Sequence, residues 1–306
     1  MRIATIDIGT NTTLLLVAEQ RPDGTAAPRL ERAEITRLGR GIGGDGLLRD
    51  ENIRRTLDVL ASYADDARRL NATVFAIGTE GLRRAPNAST FLEPAARILG
   101  TEVQVISGDR EAALTFLAAL RAFPQDTARE AAVIDIGGGS TEIILSRQGE
   151  ITFRESLPLG SVRLTETFVT HDPPTEEEAT RLGTHVAAEL SRVPFTPGST
   201  LIGTAGTVTT LAAMAQSLTD YDPARVHGYR LSAAELHAQL ERLATATQAE
   251  REGMPGLDPR RADVIFAGAL LLKGLMDKAQ APFVLVSDRG IRWGLLHEQL
   301  EKQVTR

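Results

Sequence analysis

The sequence predicts an α/β protein of two duplicated domains, each a mixed sheet flanked by helices. Three observations carry that prediction. Ile6-Asp7-Ile8-Gly9 and Ile134-Asp135-Ile136-Gly137 each end an apolar run, open a small polar turn and lead into a second apolar run. Strand, tight turn and strand therefore occur twice. Phe75-Ala76-Ile77-Gly78-Thr79-Glu80-Gly81 is echoed by Leu201-Ile202-Gly203-Thr204-Ala205-Gly206-Thr207; 125 residues separate Ile77 from Ile202, and 128 separate Asp7 from Asp135. Val103–Ser107 before a helix is echoed by Val284–Ser287 before another, at a larger offset. Three matches in the same order point to duplication of a whole domain. The larger last offset places an insertion between about Thr219 and Gln280.

The elements follow in order. Met1–Glu19 reads as two strands joined by the Asp7 turn, and Pro22-Asp23-Gly24 as a turn before a third. Asp50–Leu70 is an amphipathic helix with Ile53, Leu57, Leu60, Ala64 and Ala67 on one face. Val74–Ile77 and Val103–Ile106 are short strands, and Glu111–Leu120 is a helix. Phe123-Pro124-Gln125-Asp126 reads as the link between domains of residues 1–124 and 125–306, the last helix being free to pack back on the first domain. Ala131–Ile136 restarts the pattern. Glu176–Arg192 is helical on the spacing of Ala179, Leu182, Val186 and Leu190, and Thr207–Leu218 is a helix opening on Gly206. Ser232-Ala233-Ala234-Glu235 is a capping box for a helix to about Ala246. Ala262–Lys278 is a long apolar helix, Phe283–Val286 a strand and Ile291–Val304 a closing helix.

Composition excludes several classes. With 306 residues, 42% hydrophobic and 24% charged, the chain can core two globular domains. No apolar run approaches the roughly 20 residues that span a bilayer. Asp7 and Asn11 interrupt the first apolar stretch, which does not read as a signal peptide. There is no cysteine, hence no disulfide or thiolate chemistry, and the cytoplasm is the expected location. A net charge of −6 argues against nucleic acid as partner. Arginine pairs such as Arg83 and Arg84, Arg260 and Arg261, Arg289 and Arg292 can still gather in a cleft that takes a polyanion. The histidines show no metal-ligand spacing, and no Ser-His-Asp set can be argued.

The chemistry-bearing residues cluster in the repeated turns. Thr10-Asn11-Thr12 and Gly137-Gly138-Gly139-Ser140-Thr141 read as phosphate loops, because such turns offer backbone N–H groups and hydroxyls to an anion and glycine lets the backbone approach it. Asp135 and Glu142 flank one hairpin turn, where side-chain alternation brings both to its mouth; two hard oxygen donors there suit Mg²⁺. Leu14 matches Glu142 in the first repeat, so the second turn alone has the extra carboxylate. Glu111 follows Ser107-Gly108-Asp109 at a helix start, which favours an ionised carboxylate able to accept a proton from water. An ordinary first-turn glutamate is the alternative. Gly206 and Thr207 open a helix that could take a further phosphate.

Together, Asp7-Ile8-Gly9-Thr10-Asn11-Thr12, Arg83-Arg84-Ala85-Pro86-Asn87, Ile106-Ser107-Gly108-Asp109-Arg110-Glu111-Ala112, Asp135-Ile136-Gly137-Gly138-Gly139-Ser140-Thr141-Glu142 and Gly203-Thr204-Ala205-Gly206-Thr207 resemble the exopolyphosphatase / guanosine pentaphosphate phosphatase (Ppx/GppA) family, within the superfamily of sugar kinases, actin and the Hsp70 ATPase domain. The resemblance covers nearly the full chain. It implies actin-like (ribonuclease H-like) domains with the active site in the cleft between them. It implies a phosphoric anhydride hydrolase that processively removes terminal phosphate from inorganic polyphosphate or, alternatively, the 5′ γ-phosphate of guanosine pentaphosphate. Glu111 would be the base, Arg83 the phosphate clamp by its Arg-x-Ala-x-Asn spacing, Mg²⁺ or Mn²⁺ the cofactor, and a homodimer the assembly. A kinase reading lacks an acceptor-sugar insertion, and a non-catalytic polyphosphate sensor would not need Glu111, Asp135 and Glu142 together. Two departures stand out. Arg292-Trp293-Gly294 replaces the family's Arg-Glu-Gly, and the helical domains of longer relatives are not present, so the chain looks like a short two-domain member.

Overall fold

A computed structural model of the chain describes residues 1–21, 25–42 and 46–304, with backbone only for 303 and 304. The turn expected at Pro22-Asp23-Gly24 lies outside the described residues. The first elements are β1 (Arg2–Ile8), β2 (Thr12–Gln20), β3 (Ala26–Ile35), α1 (Asp50–Arg69), β4 (Thr73–Gly78), α2 (Glu80–Arg84), α3 (Ser89–Leu99), β5 (Val103–Val105) and α4 (Gly108–Ala122). Next come α5 (Pro124–Thr127), β6 (Glu130–Ile136), β7 (Thr141–Arg147), β8 (Glu150–Leu157), α6 (Ser161–Phe168), α7 (Glu176–Leu190), β9 (Thr200–Thr204), α8 (Ala205–Ala215) and α9 (Pro223–Val226). The last are β10 (Arg230–Ser232), α10 (Ala233–Thr245), α11 (Gln248–Glu252), α12 (Ile265–Ala279), β11 (Phe283–Val286) and α13 (Ile291–Val304).

The chain divides into two compact units, residues 1–118 with 291–306, and residues 119–290. The sheet of the first has the order β3-β2-β1-β4-β5. β1 and β2, and β2 and β3, are antiparallel; β4 and β5 continue parallel to β1. The sheet of the second has the order β8-β7-β6-β9-β11-β10. Its β8-β7-β6 meander is antiparallel, and β9 and β11 continue parallel to β6. Five strands thus repeat with the same order and the same senses. β10, antiparallel on the outer edge of β11, is the addition. It arrives with α9 to α12 between β9 and β11, within the stretch where the sequence offsets place an insertion.

Burial explains the strand patterns. β1 and β6 lie between neighbours on both sides and read as nearly continuous apolar runs, interrupted by buried Thr5 and Asp7 in β1 and by buried Asp135 in β6. α1 buries Ile53, Leu60, Ala64 and Ala67 on the face that its spacing predicts, with Leu57 packed alongside. α10 begins with the expected capping box: Ser232 Oγ accepts from Glu235 N, and the Glu235 carboxylate accepts from Ser232 N. α12 starts at Ile265 rather than Ala262, because Asp258 caps a 3₁₀ turn over Pro259–Arg261. β10, of three residues, and α2, of five, are too short to carry a period, so the sequence pattern does not predict them. The core of the second unit runs from Ala132 to Val286. In the first unit Trp293, Leu296 and Leu300 of α13 close over Ile3, Leu16 and Ala18. A glutamate at 293 would lie in that apolar cluster, which is why this chain's Trp293 serves packing.

Candidate active site

The two turns that the sequence marks as candidate phosphate loops are equivalent. Gly9 N donates to Thr12 O at 3.0 Å, and Gly137 N to Ser140 O at 3.0 Å. Asp7 pairs directly with Leu14 across the first hairpin, and Asp135 with Glu142 across the second. Directly paired residues of antiparallel strands share a face, so the Asp135 and Glu142 side chains lie side by side. Both are buried, 9% and 1% exposed. Glu142 Oε1 accepts from the hydroxyls of Ser140 (2.9 Å) and Ser156 (2.7 Å), which orient the carboxylate. Among the described residues, no three His, Cys, Asp or Glu side chains gather closely enough to hold a metal by themselves. Two carboxylates suit Mg²⁺, which keeps waters and takes its remaining oxygens from a substrate phosphate.

The hydroxyls expected to bind phosphate are largely engaged within the protein. Thr10 Oγ1 donates to Glu80 Oε2 at 3.4 Å, Ser140 Oγ to Glu142, and Thr141 Oγ1 to Leu159 O at 2.5 Å. A hydroxyl has one proton to donate, so an anion at these loops would be met chiefly by backbone amides. Asn11 differs. Its side chain is buried and Nδ2 has no hydrogen-bond acceptor, a costly state that an anion at the loop would relieve. Thr12 is half-exposed beside it.

Glu111 lies in the first turn of α4, whose start is capped by Ser107: Arg110 N donates to Ser107 Oγ and Glu111 N to Ser107 O. Arg83, on α2, donates from Nη1 to Ile106 O at 2.7 Å and to Glu111 Oε2 at 3.3 Å. Arg84 instead pairs with Glu80. Within the first unit, the residues singled out as base and clamp are thus in contact with each other.

In the second unit, α8 starts at Ala205, one residue before Gly206. Ala205 has a left-handed φ of 68°, a strain of about 1 kcal/mol for a residue with a Cβ. The Arg261 guanidinium packs over Gly206. The Thr207 side chain is buried against Gly268 of α12, so its hydroxyl is turned to the protein interior.

The Ppx/GppA phosphatase family model matches residues 17–303. The chain belongs to that family. Exopolyphosphatase 2 of Mycobacterium tuberculosis is 35% identical over 312 residues, covering 96% of this chain and 97% of the relative. The crystal structure of the Aquifex aeolicus Ppx/GppA family member superposes with a TM-score of 0.85 at 36% identity, covering 99% of this chain and 98% of that one. An exopolyphosphatase from Cytophaga hutchinsonii superposes with a TM-score of 0.89 at 27% identity, covering 99% and 98%.

Two features of this Ppx/GppA chain escaped the sequence reading. Glu80, which receives the Thr10 hydroxyl, lies 70 residues away along the chain. The start of α6 packs against the second phosphate loop: Ser161 N donates to Gly137 O and Val162 N to Gly138 O. The approach is so close that a Cβ on Gly160 would fall 2.3 Å from Gly138 O. The one hint in the sequence was Gly160 itself, between two apolar segments. Among the described residues, no helix is long and apolar enough to cross a membrane.

Proposed function

We propose that this chain is an exopolyphosphatase that releases orthophosphate from the end of inorganic polyphosphate by attack of water. The observation that carries the reading is the Arg83–Glu111 pair at the start of α4, a buried carboxylate 3.3 Å from a guanidinium. The carboxylate can take the proton of an attacking water, and the guanidinium can hold a non-bridging oxygen of the phosphate under attack. The near full-length likeness to a protein named exopolyphosphatase 2 supports polyphosphate as the substrate. Backbone amides of the two loops offset charge on the non-bridging oxygens, and the shortened polyphosphate is the leaving group. Asp135 and Glu142 would hold Mg²⁺, which supplies charge neutralisation to the phosphates when bound.

Turnover of polyphosphate, guanosine pentaphosphate and ATP, measured side by side, tests it. Polyphosphate is expected to give the highest kcat/KM. A higher value for guanosine pentaphosphate would replace the substrate assignment. Glu111→Gln should retain substrate affinity and lose roughly two to four decades of turnover, the scale of a lost general base. Wild-type turnover in that variant would remove Glu111 from the reaction.

A further inference from the structure

The carbonyl oxygens of both phosphate loops are tied down, by different means. In the first unit Thr10 O accepts from Gly39 N at 2.8 Å and Asn11 O from Arg37 N at 2.9 Å. Both donors are main-chain amides of the segment after β3. In the second unit Gly137 O accepts from Ser161 N at 3.0 Å, and Gly138 O from Val162 N at 2.9 Å and Arg163 N at 3.1 Å. Gly139 O accepts from the Arg163 side chain, Nε, at 2.8 Å. The matched turn bonds of Gly9 and Gly137 place Thr10 against Gly138 and Asn11 against Gly139. At the second of these positions a guanidinium stands in for a backbone amide.

The consequence follows from the planar trans peptide, in which C=O and the next N–H point in opposite directions. Fixing the oxygens of Gly137, Gly138 and Gly139 toward α6 turns the N–H groups of Gly138, Gly139 and Ser140 to the other side. Three such amides in succession make a concave anion site. Glycine has no side chain to hold its peptide plane, and without a partner the Gly139 carbonyl would be free to rotate. We propose that Arg163 is a positioning residue of this phosphatase: its Nε holds the Gly139 carbonyl so that the Ser140 N–H faces the phosphate. The inference rests on the second loop being a phosphate loop of the proposed reaction.

The test compares wild type with Arg163→Ala and Arg163→Lys, the latter keeping the charge but losing the Nε donor. Dissociation constants for tripolyphosphate are measured calorimetrically with Mg²⁺, beside KM and kcat for polyphosphate. Loss of a charge-assisted hydrogen bond is expected to weaken tripolyphosphate binding and raise KM by about tenfold in Arg163→Ala, with kcat within about threefold. Arg163→Lys should shift in the same direction. Guanidinium ion at roughly 20 mM, far below denaturing concentrations, should restore much of the affinity of Arg163→Ala. Unchanged tripolyphosphate affinity in Arg163→Ala overturns the proposal. So does a loss that tracks a lowered melting temperature and resists guanidinium, because that is the signature of a packing role. Wild type that binds tripolyphosphate but releases no orthophosphate from polyphosphate would sink the exopolyphosphatase reading, while the affinity ratio would still decide the role of Arg163.

Discussion

Loop 1, at Gly9–Thr12, and loop 2, at Gly137–Ser140, close with the same 3.0 Å bond and flank an aspartate at the same register position. Their side chains have diverged. Loop 1 faces its Asp7 with half-buried Leu14 and supplies a buried amide, Asn11, whose Nδ2 lacks an acceptor. Loop 2 faces its Asp135 with Glu142 and has glycines where loop 1 has Thr10 and Asn11. On the proposed reading the shared hairpin would present amides to an anion in both copies, and the paired carboxylates would add cation binding in the second alone. A duplicated turn can therefore keep its backbone and change its charge preference through one cross-strand neighbour.

The largest expected effect comes from the position that differs most. Asp135→Asn or Glu142→Gln should raise the Mg²⁺ concentration needed for half-maximal activity and lower kcat/KM by about two decades or more, the scale of charge stabilisation at a phosphoryl group. Leu14→Ala, at the register position equivalent to Glu142, should leave the Mg²⁺ titration alone and cost about 1–2 kcal/mol in urea unfolding. A Mg²⁺ titration unchanged by Asp135→Asn would end the assignment of the metal to loop 2.

The packing behind the loops separates the two copies next. A Cβ on Gly160 would fall 2.3 Å from Gly138 O and 2.4 Å from its carbonyl carbon, so backbone would have to move. A Cβ on Gly39 would fall 2.4 Å from the Thr10 methyl, a side-chain atom. Gly160→Ala is expected to destabilise by about 3 kcal/mol or more and to abolish most activity. Gly39→Ala should cost less, and Thr10→Ser, which deletes the methyl, should recover much of that loss. If Thr10→Ser gives no recovery, the strain lies elsewhere and the contrast between the loops is weaker than drawn.

Asn11 gives a smaller effect with opposite signs in two measurements. Asn11→Leu removes a buried donor that lacks an acceptor, which should stabilise the free protein by about 1 kcal/mol. It should also reduce the rise in melting temperature produced by tripolyphosphate. A variant that is less stable when free would show that Asn11 Nδ2 already has a partner in solution.

The legible parts of this molecule are those set by local pattern. Two copies of an apolar run, Asp-Ile-Gly and a second run are enough to read β1, β2, β6 and β7, because hairpin partners adjoin in sequence. The opposition of Asp135 and Glu142 follows from alternation around one turn. What stayed hidden depends on distant segments. β10 has three residues and exists by pairing with β11 across the whole of α10 to α12. The five residues of α2 are too few for a helical period, yet they place Glu80 by Thr10 and Arg83 by Glu111. The hydroxyl-rich turns suggested hydroxyl donors to phosphate. The acceptors that engage Thr10 and Thr141, Glu80 and Leu159 O, lie in other segments of the chain, outside the turns.

The smallest expected effect extends the comparison to acid. The second unit contains His171, His185, His227 and His237; the first contains His297. His227 stacks on Phe123 with ring centroids 4.8 Å apart, and its Nδ1 accepts from Asp288 N at 3.3 Å. Burial, with a smaller push from the Arg289 charge, lowers its pKa from 6.5 to about 4. An imidazole accepts at Nδ1 only when that nitrogen is unprotonated, so charging the ring sets N–H against N–H. Because the folded pKa lies below the unfolded one, the unfolded chain takes up the proton first. Stability is therefore complete above about pH 6.5 and falls as pH drops toward 4, by on the order of 2 kcal/mol once the ring's partial exposure is allowed for. The Glu178 carboxylate accepts from Thr170 N, Thr170 Oγ1 and Thr175 N, which hold its pKa far below the ordinary 4.5 despite desolvation. Its contribution is present above pH 4.5 and is lost below, so the two windows barely overlap. His227→Phe keeps an aromatic ring on Phe123 and removes the titration. Its unfolding free energy should fall less steeply than that of wild type from pH 6.5 down to about 4, and in parallel with it only once the folded ring is also protonated. Equal slopes in the upper window would mean that His227 is as readily protonated in the folded chain as in the unfolded one, and that the acid sensitivity of the second unit comes from its carboxylates.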